Sequence, residues 1–209
     1  MFINNWKVYG YNESLVAAGY PKRTDIDELN NIESDILTDR VPKSAVSLAQ
    51  SKPGSGHDNF LKGIVVQFNL CMSNKAWVEA ERYHWLDFVS SCSTMHCITN
   101  MNIDKCCNNY VYRTTIDFLE RDIEDYNSMT AKEKNSDEGK ELYLKILYNV
   151  PSGFELAARM TTNYLELKTI YRQRRNHRLP DWHMFCDWVE SLPDSHLITG
   201  MNKEDDVIE

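Results

Sequence analysis

From Phe60 to Leu70 the chain reads FLKGIVVQFNL, where Ile64, Val66, Phe68 and Leu70 alternate with Gly63, Val65, Gln67 and Asn69. A period of two in β-branched and aromatic residues predicts a strand over 60–70, with one face set into a core. Ser73 then stands as an N-cap ahead of NKAWVEAERYHWLDF, whose Trp77, Ala80, Glu81 and His84 recur at helical spacing. Tyr110 to Met129 places Ile116, Phe118, Leu119, Ile123 and Tyr126 at near-helical intervals, and Glu141 to Tyr148 resumes them with Leu142, Leu144, Ile146 and Leu147. These segments predict a helical pair joined by the charged linker Thr130 to Lys140.

Pro151-Ser152-Gly153 is a turn, and the run Phe154 to Thr162 is read as a strand, although its length also suits the start of a helix. Asn163, with Glu166 three positions on, has the form of an N-cap for a helix reaching Arg174. Pro180 opens another, Asp181 to Ser191, which stops at Leu192-Pro193. Residues 1–56 mix short apolar patches with turn formers and end in Ser51-Lys52-Pro53-Gly54-Ser55-Gly56, so the expectation there is irregular chain with short helices. The tail 200–209 is acidic and expected to fray. No internal repeat is visible. The pattern describes one α+β domain over 1–209, a strand-centred core with three or more packed helices.

Composition narrows the class. At 209 residues and 24.4 kDa, with 42% apolar and 26% charged residues, the chain is long enough for a real core and unlike collagen or a disordered tract. A net charge of -8 argues against a nucleic-acid surface. No apolar run approaches the roughly 20 residues of a membrane span, and Met1 to Asn5 lacks the marks of a signal peptide, so a cytoplasmic protein is expected. Six cysteines (Cys71, Cys92, Cys97, Cys106, Cys107 and Cys186) contain no CxxC pair and read as reduced structural thiols.

The chemistry-bearing residues are few. Arg172, Arg174, Arg175, His177 and Arg178 gather positive charge at a helix end in an acidic chain. Guanidinium forks suit phosphate oxygens, whereas the plainer reading is a solvated helix end that complements the dipole. His57, His84 and His96 lack metal-ligand spacing, and Cys92 and Cys97 do not supply it. The run Ser90-Ser91-Cys92-Ser93-Thr94 offers hydroxyls and a thiol without a GxSxG turn, and neither GxGxxG nor GxxxxGK[ST] occurs.

Taken in order, His57-Asp58-Asn59-Phe60 before the strand, Ser91-Cys92-Ser93-Thr94-Met95-His96, Pro151, Thr161-Thr162-Asn163, Tyr171-Arg172-Gln173-Arg174 and then Trp182 resemble the flavin-dependent thymidylate synthases, the ThyX family. The likeness spans about residues 57–190. It departs from the family at Cys92, Thr94 and His96, which stand where its second motif has Glu, Ser and Arg. Arg82-Tyr83-His84-Trp85 stands in for its Arg-His-Arg, Leu165 replaces an Arg, and Thr169 an Asn that helps hold flavin. The strings GSGHDNF, SSCSTMHCI and TTNYLELKTIYRQRRNHRLPDW resemble a divergent, phage-type branch.

The resemblance implies an α+β domain with a central, mostly antiparallel sheet flanked by helices, and a homotetramer with active sites between subunits. It implies action on C5 of deoxyuridylate, converting dUMP to dTMP or a related product, with FAD, NADPH and methylenetetrahydrofolate. Arg174 would hold and polarise the pyrimidine as the catalytic residue. Ser93, Thr94 and His96 would contact nucleotide phosphate, and His57, His84 and Asn163 would lie near flavin. Neither metal, membrane nor nucleic acid is implied. The alternative is a ThyX-fold oligomer that binds a nucleotide without flavin chemistry.

Overall fold

The alternating run forms a strand, β2, but over Val65–Ser73, and the computed structural model describes residues 1–24, 41–52 and 54–200 around it. Val66, Phe68 and Leu70 are buried, so the inward face is the one the alternation predicts. The run's first residues instead make a 3-10 turn, Asn59–Gly63. This turn is held by close backbone approach: a Cβ at Gly10, whose φ is +64°, would lie 2.6 Å from the Gly63 carbonyl oxygen.

Four strands make one antiparallel sheet in the order β1 (Phe2–Tyr9), β2, β4 (Glu155–Asn163), β3 (Asp87–Ser91). The strand read at 154–162 is therefore present. β1 overturns the expectation of irregular or helical chain at the N-terminus. Its FINNWKVY pattern is blurred by two asparagines, and Asn5 takes a positive φ of 49° that breaks the alternation. Within 1–56 the structure also holds α1 (Tyr11–Ala17) and α2 (Lys43–Ala49), the short helices expected there. The acidic tail lies outside the described residues from 201 onward.

The chain divides into two compact units, Met1–Phe2 with Asn69–Arg82 and Phe88–Arg159, and Ile3–Phe68 with Tyr83–Asp87 and Met160–Glu209. In the first unit, α3 (Asn74–Ala80) starts at the expected cap, Ser73 Oγ accepting from the Ala76 N–H, but ends half as far along as its periodicity suggests. Trp77 turns inward, donates Nε1–H to the Leu156 carbonyl at 3.1 Å and packs on Phe88. Short helices α4 (Thr94–Cys97) and α5 (Ile103–Cys106) lead into α6 (Arg113–Ser128), which buries Ile116, Leu119 and Ile123 against Ile146 of α8 (Asp137–Tyr148). That is the predicted helical pair. The linker between them contains α7 (Ala131–Lys134), closed by a capping box between Thr130 and Glu133. Gly139 is required at the junction, where a Cβ would fall 2.2 Å from the Glu133 carbonyl oxygen.

In the second unit, α9 (Tyr164–Arg174) and α10 (Pro180–Glu190) follow the predicted boundaries closely, and α11 (His196–Thr199) completes the packing. Phe68 of β2 meets Trp188 at 4.3 Å and Phe185 at 6.2 Å between ring centroids, an aromatic core built on one strand and one helix. Along α9 the residues Tyr164, Leu167, Lys168, Tyr171 and Arg174 share the buried side, at intervals of three and four.

Candidate functional site

Two positions on the buried side of α9 are cationic, and each has a specific partner. Arg174 is 8% exposed; its Nε–H donates to Tyr83 Oη at 2.7 Å, and its guanidinium carbon stands 4.7 Å from the Trp182 ring centroid and 5.5 Å from that of Tyr83. Tyr83 Oη–H in turn donates to Gln173 Oε1 at 3.0 Å. Burial raises the Tyr83 hydroxyl above its ordinary pKa while the Arg174 charge pulls it back. Arg174 is thus an inward-facing guanidinium in an aromatic box, with Trp182 as one wall.

Lys168 is the second. Its Nζ lies 2.6 Å from Asp58 Oδ2, also donates to the Ala49 carbonyl, and both members of the pair are buried. This pair ties the 54–59 loop to α9. Between the loop and the outer side of the helix opens a cavity of about 550 Å³ lined by Gly54, Gly56, Asp58, Asn59, Leu165, Lys168, Thr169, Arg172 and Gln173. Its size falls in the range of small-molecule sites, about 300–1,000 Å³. Leu165, Thr169 and Arg172 come together here because they are spaced four and three apart on α9. Thr169 Oγ1–H donates back to the Leu165 carbonyl at 3.2 Å, so its hydroxyl oxygen keeps acceptor capacity. The Arg172 side chain forms no hydrogen bond or ion pair with another described residue.

The sequence-predicted residues are distributed as follows. His57 is exposed on the 54–59 loop. Asn163 is half-buried at the end of β4, and its Oδ1 accepts from the Glu166 N–H at 2.9 Å as the cap of α9. His84 is exposed in the turn after Tyr83 and holds down the pKa of Glu166, which burial raises. Ser93, Thr94 and His96 belong to the first unit: Ser93 is the N-cap position of α4, Thr94 its half-buried first residue, and His96 an exposed residue of its last turn. Ahead of them in the same unit, Ser90, Ser91 and Cys92 line a shallow hollow of about 330 Å³ with Phe2, Asn69 and Arg159, where Arg159 donates to Asn69 Oδ1 at 3.3 Å.

No local sequence signal marks Lys168, Asp58 and Tyr83 as partners. The only trace of Lys168 was its place in the inward set of α9, where a charge requires a buried counter-charge. Trp77 and Tyr83 are buried, whereas Trp85 is exposed, at 61%. All six cysteines are free, and among the described residues no cluster of His, Cys, Asp or Glu is arranged to hold a metal. No described helix is long and apolar enough to cross a membrane.

No protein-family model matches the sequence, and no curated protein matches it. Solved structures do. A crystal structure of the flavin-dependent thymidylate synthase ThyX from Helicobacter pylori complexed with FAD and dUMP aligns with a TM-score of 0.65 and 12% identity, over 97% of this chain and 100% of that one. A second H. pylori ThyX structure with FAD and dUMP aligns with a TM-score of 0.60 and 13% identity, over 96% and 98%. The chain has the ThyX fold, an α+β arrangement of helices on a four-stranded antiparallel sheet.

Proposed function

We propose that this protein is a divergent ThyX-like transferase of the phage type, acting in the cytoplasm on C5 of a deoxyuridylate and adding a one-carbon unit to convert dUMP to dTMP or a related pyrimidine. The observation that carries the reading is the cavity on α9. The H. pylori proteins of this fold were crystallised with FAD and dUMP. Leu165 and Thr169, which stand where the family it resembles has an Arg and a flavin-holding Asn, both line this cavity.

The residues present fit one phosphorylated end of a flavin dinucleotide. Arg172 offers a cation, Thr169 an acceptor for a sugar hydroxyl, Gln173 and Asn59 amides for a polar edge, and Leu165 an apolar wall. His57, His84 and Asn163 complete the flavin surroundings in this reading. When bound, the flavin supplies the hydride and methylenetetrahydrofolate the carbon, with NADPH as the reductant, so no protein nucleophile is required. The protein's own contribution is orientation and charge. Arg174, held flat by Trp182 and Tyr83, polarises the pyrimidine, while Ser93, Thr94 and His96 hold the phosphate.

A homotetramer built from this single domain, with active sites between subunits, accords with the apolar side chains left exposed on both edge strands: Phe2, Trp6 and Tyr9 of β1, and Phe88 and Val89 of β3. The test is a reaction with dUMP, FAD, NADPH and methylenetetrahydrofolate read by mass spectrometry of the nucleotide. A product heavier by one CH2, a methyl group in place of the C5 hydrogen, is expected; unchanged dUMP rejects the catalytic reading. The loss of a cationic side chain at Leu165 favours one second reading, a nucleotide-binding oligomer without turnover, which predicts dUMP binding with unchanged dUMP.

A further inference from the structure

Among the described residues, the lining of the cavity on α9 holds three charged side chains, and two of them cancel. Lys168 and Asp58 are in contact at 2.6 Å, and both are almost wholly buried, at 3% and 5% exposure. Burying two ions costs several kcal/mol of hydration that their mutual attraction only partly restores, so such a pair is weak as a source of stability. A Leu at 168 against an apolar residue at 58 would pack the same place. What the pair does achieve is visible in its location. It connects positions 110 residues apart, fixing the loop that carries Gly54 and Gly56 at φ near +79° and +78° as the second wall of the cavity. The second bond of Lys168, to the Ala49 carbonyl at the end of α2, anchors the same corner.

The electrostatic consequence is as definite as the geometric one. With Lys168 neutralised, Arg172 is the one cation on the described lining that lacks a described partner, and the described lining residues Asp58, Lys168 and Arg172 together carry a net charge of +1. We propose that the Lys168–Asp58 pair is a charge-neutral latch that shapes this cavity and confines its anion recognition to Arg172, which takes the phosphate of a bound nucleotide. Arg172 is suited to this because its planar fork can engage two phosphate oxygens at once. Lys168 and Asp58 are positioning residues in this assignment, and Arg172 is the ligand contact. The inference rests on the reading of the cavity as a nucleotide pocket.

The test uses the full chain and inorganic pyrophosphate as the probe, titrated by calorimetry at neutral pH, with a thermal melt of every variant. Arg172→Ala is expected to weaken pyrophosphate binding about tenfold with an unchanged melt, the effect of one charge-assisted contact. Asp58→Asn frees a cation into the wall and is expected to tighten binding about threefold or more, whereas Lys168→Met frees a carboxylate and weakens it by a similar factor. Both lower the melting temperature, so a purely structural role would move binding in one direction for the two variants. The double variant Asp58→Asn with Lys168→Met restores neutrality and is expected to bind as the parent does, and it serves if either single variant fails to fold.

Indifference of binding to Arg172→Ala, same-direction effects of the two single variants, or a double variant unlike the parent overturns the proposal. Flavin and dUMP titrations of the same parent protein separate this outcome from the parent reading. Flavin and dUMP uptake with no Arg172-dependent pyrophosphate site rejects the latch alone; the expected pyrophosphate pattern without flavin or dUMP uptake rejects the ThyX-like reading alone.

Discussion

Arg174 Nε–H donates to Tyr83 Oη across 91 positions of sequence, and the same guanidinium lies against the face of Trp182. The bond joins the last residue of α9 to the turn after α3 and fixes the orientation of a buried charge. Tyr83→Phe removes the acceptor while keeping the ring. Leaving a buried charged donor short of a partner costs about 1–3 kcal/mol, so a urea midpoint well below the parent's is expected. Arg174→Lys should not restore the parent's behaviour, because an ammonium neither stacks on Trp182 in the same way nor presents Nε.

The neighbouring arginine provides the contrast. Arg175 is exposed, with its guanidinium carbon 5.1 Å from the Tyr171 ring centroid. If Arg174 polarises the pyrimidine, Arg174→Ala weakens dUMP binding about tenfold or more, the scale of one charge-assisted contact. Arg175→Ala should change it by roughly 0–1 kcal/mol, because an exposed charge is screened. Calorimetric titration of dUMP against both variants checks this, and equal small losses would remove Arg174 from the substrate site.

Asn163 has two separable roles. As the cap of α9 it accepts from the Glu166 N–H, and Asn163→Ala should cost about 1 kcal/mol of stability. Asp caps as well as Asn does, so Asn163→Asp should keep the parent's urea midpoint. Any loss of flavin affinity in Asn163→Asp then reports the flavin contact alone.

The thiols divide by exposure. Cys92 and Cys97 are exposed, while burial pushes Cys71 and Cys107 up to about 11 and Cys186 up to about 12. Iodoacetamide near neutral pH should therefore label Cys92 and Cys97 first, as peptide mapping would show. Between the ordinary and the raised value an unfolded thiol has lost its proton and the folded one has not, so stability falls as pH rises through that window. Cys186→Ala should flatten the alkaline decline of the urea midpoint.

Much of the second unit was legible because its local signals agree. Asn163 with Glu166, Pro180, and the inward set Leu167, Ile170 and Tyr171 all point to the helices that form. The phase of β2 was readable for the same reason. β1 was not, since Asn4 and Asn5 are poor strand residues and its pairing with β2 is a long-range choice. The early end of α3 is likewise a tertiary decision: Tyr83 must leave the helical path to meet Arg174. At the site, Leu165, Thr169 and Arg172 share a helix face by simple spacing, but nothing local pairs Lys168 with Asp58.

Flavin uptake tests the central claim most directly. Purified protein is incubated with FAD, desalted, and its visible spectrum recorded before and after addition of dUMP. The account predicts a retained oxidised-flavin band, perturbed by dUMP and diminished in Arg172→Ala; a colourless protein that neither holds FAD nor gives heat with dUMP would contradict it.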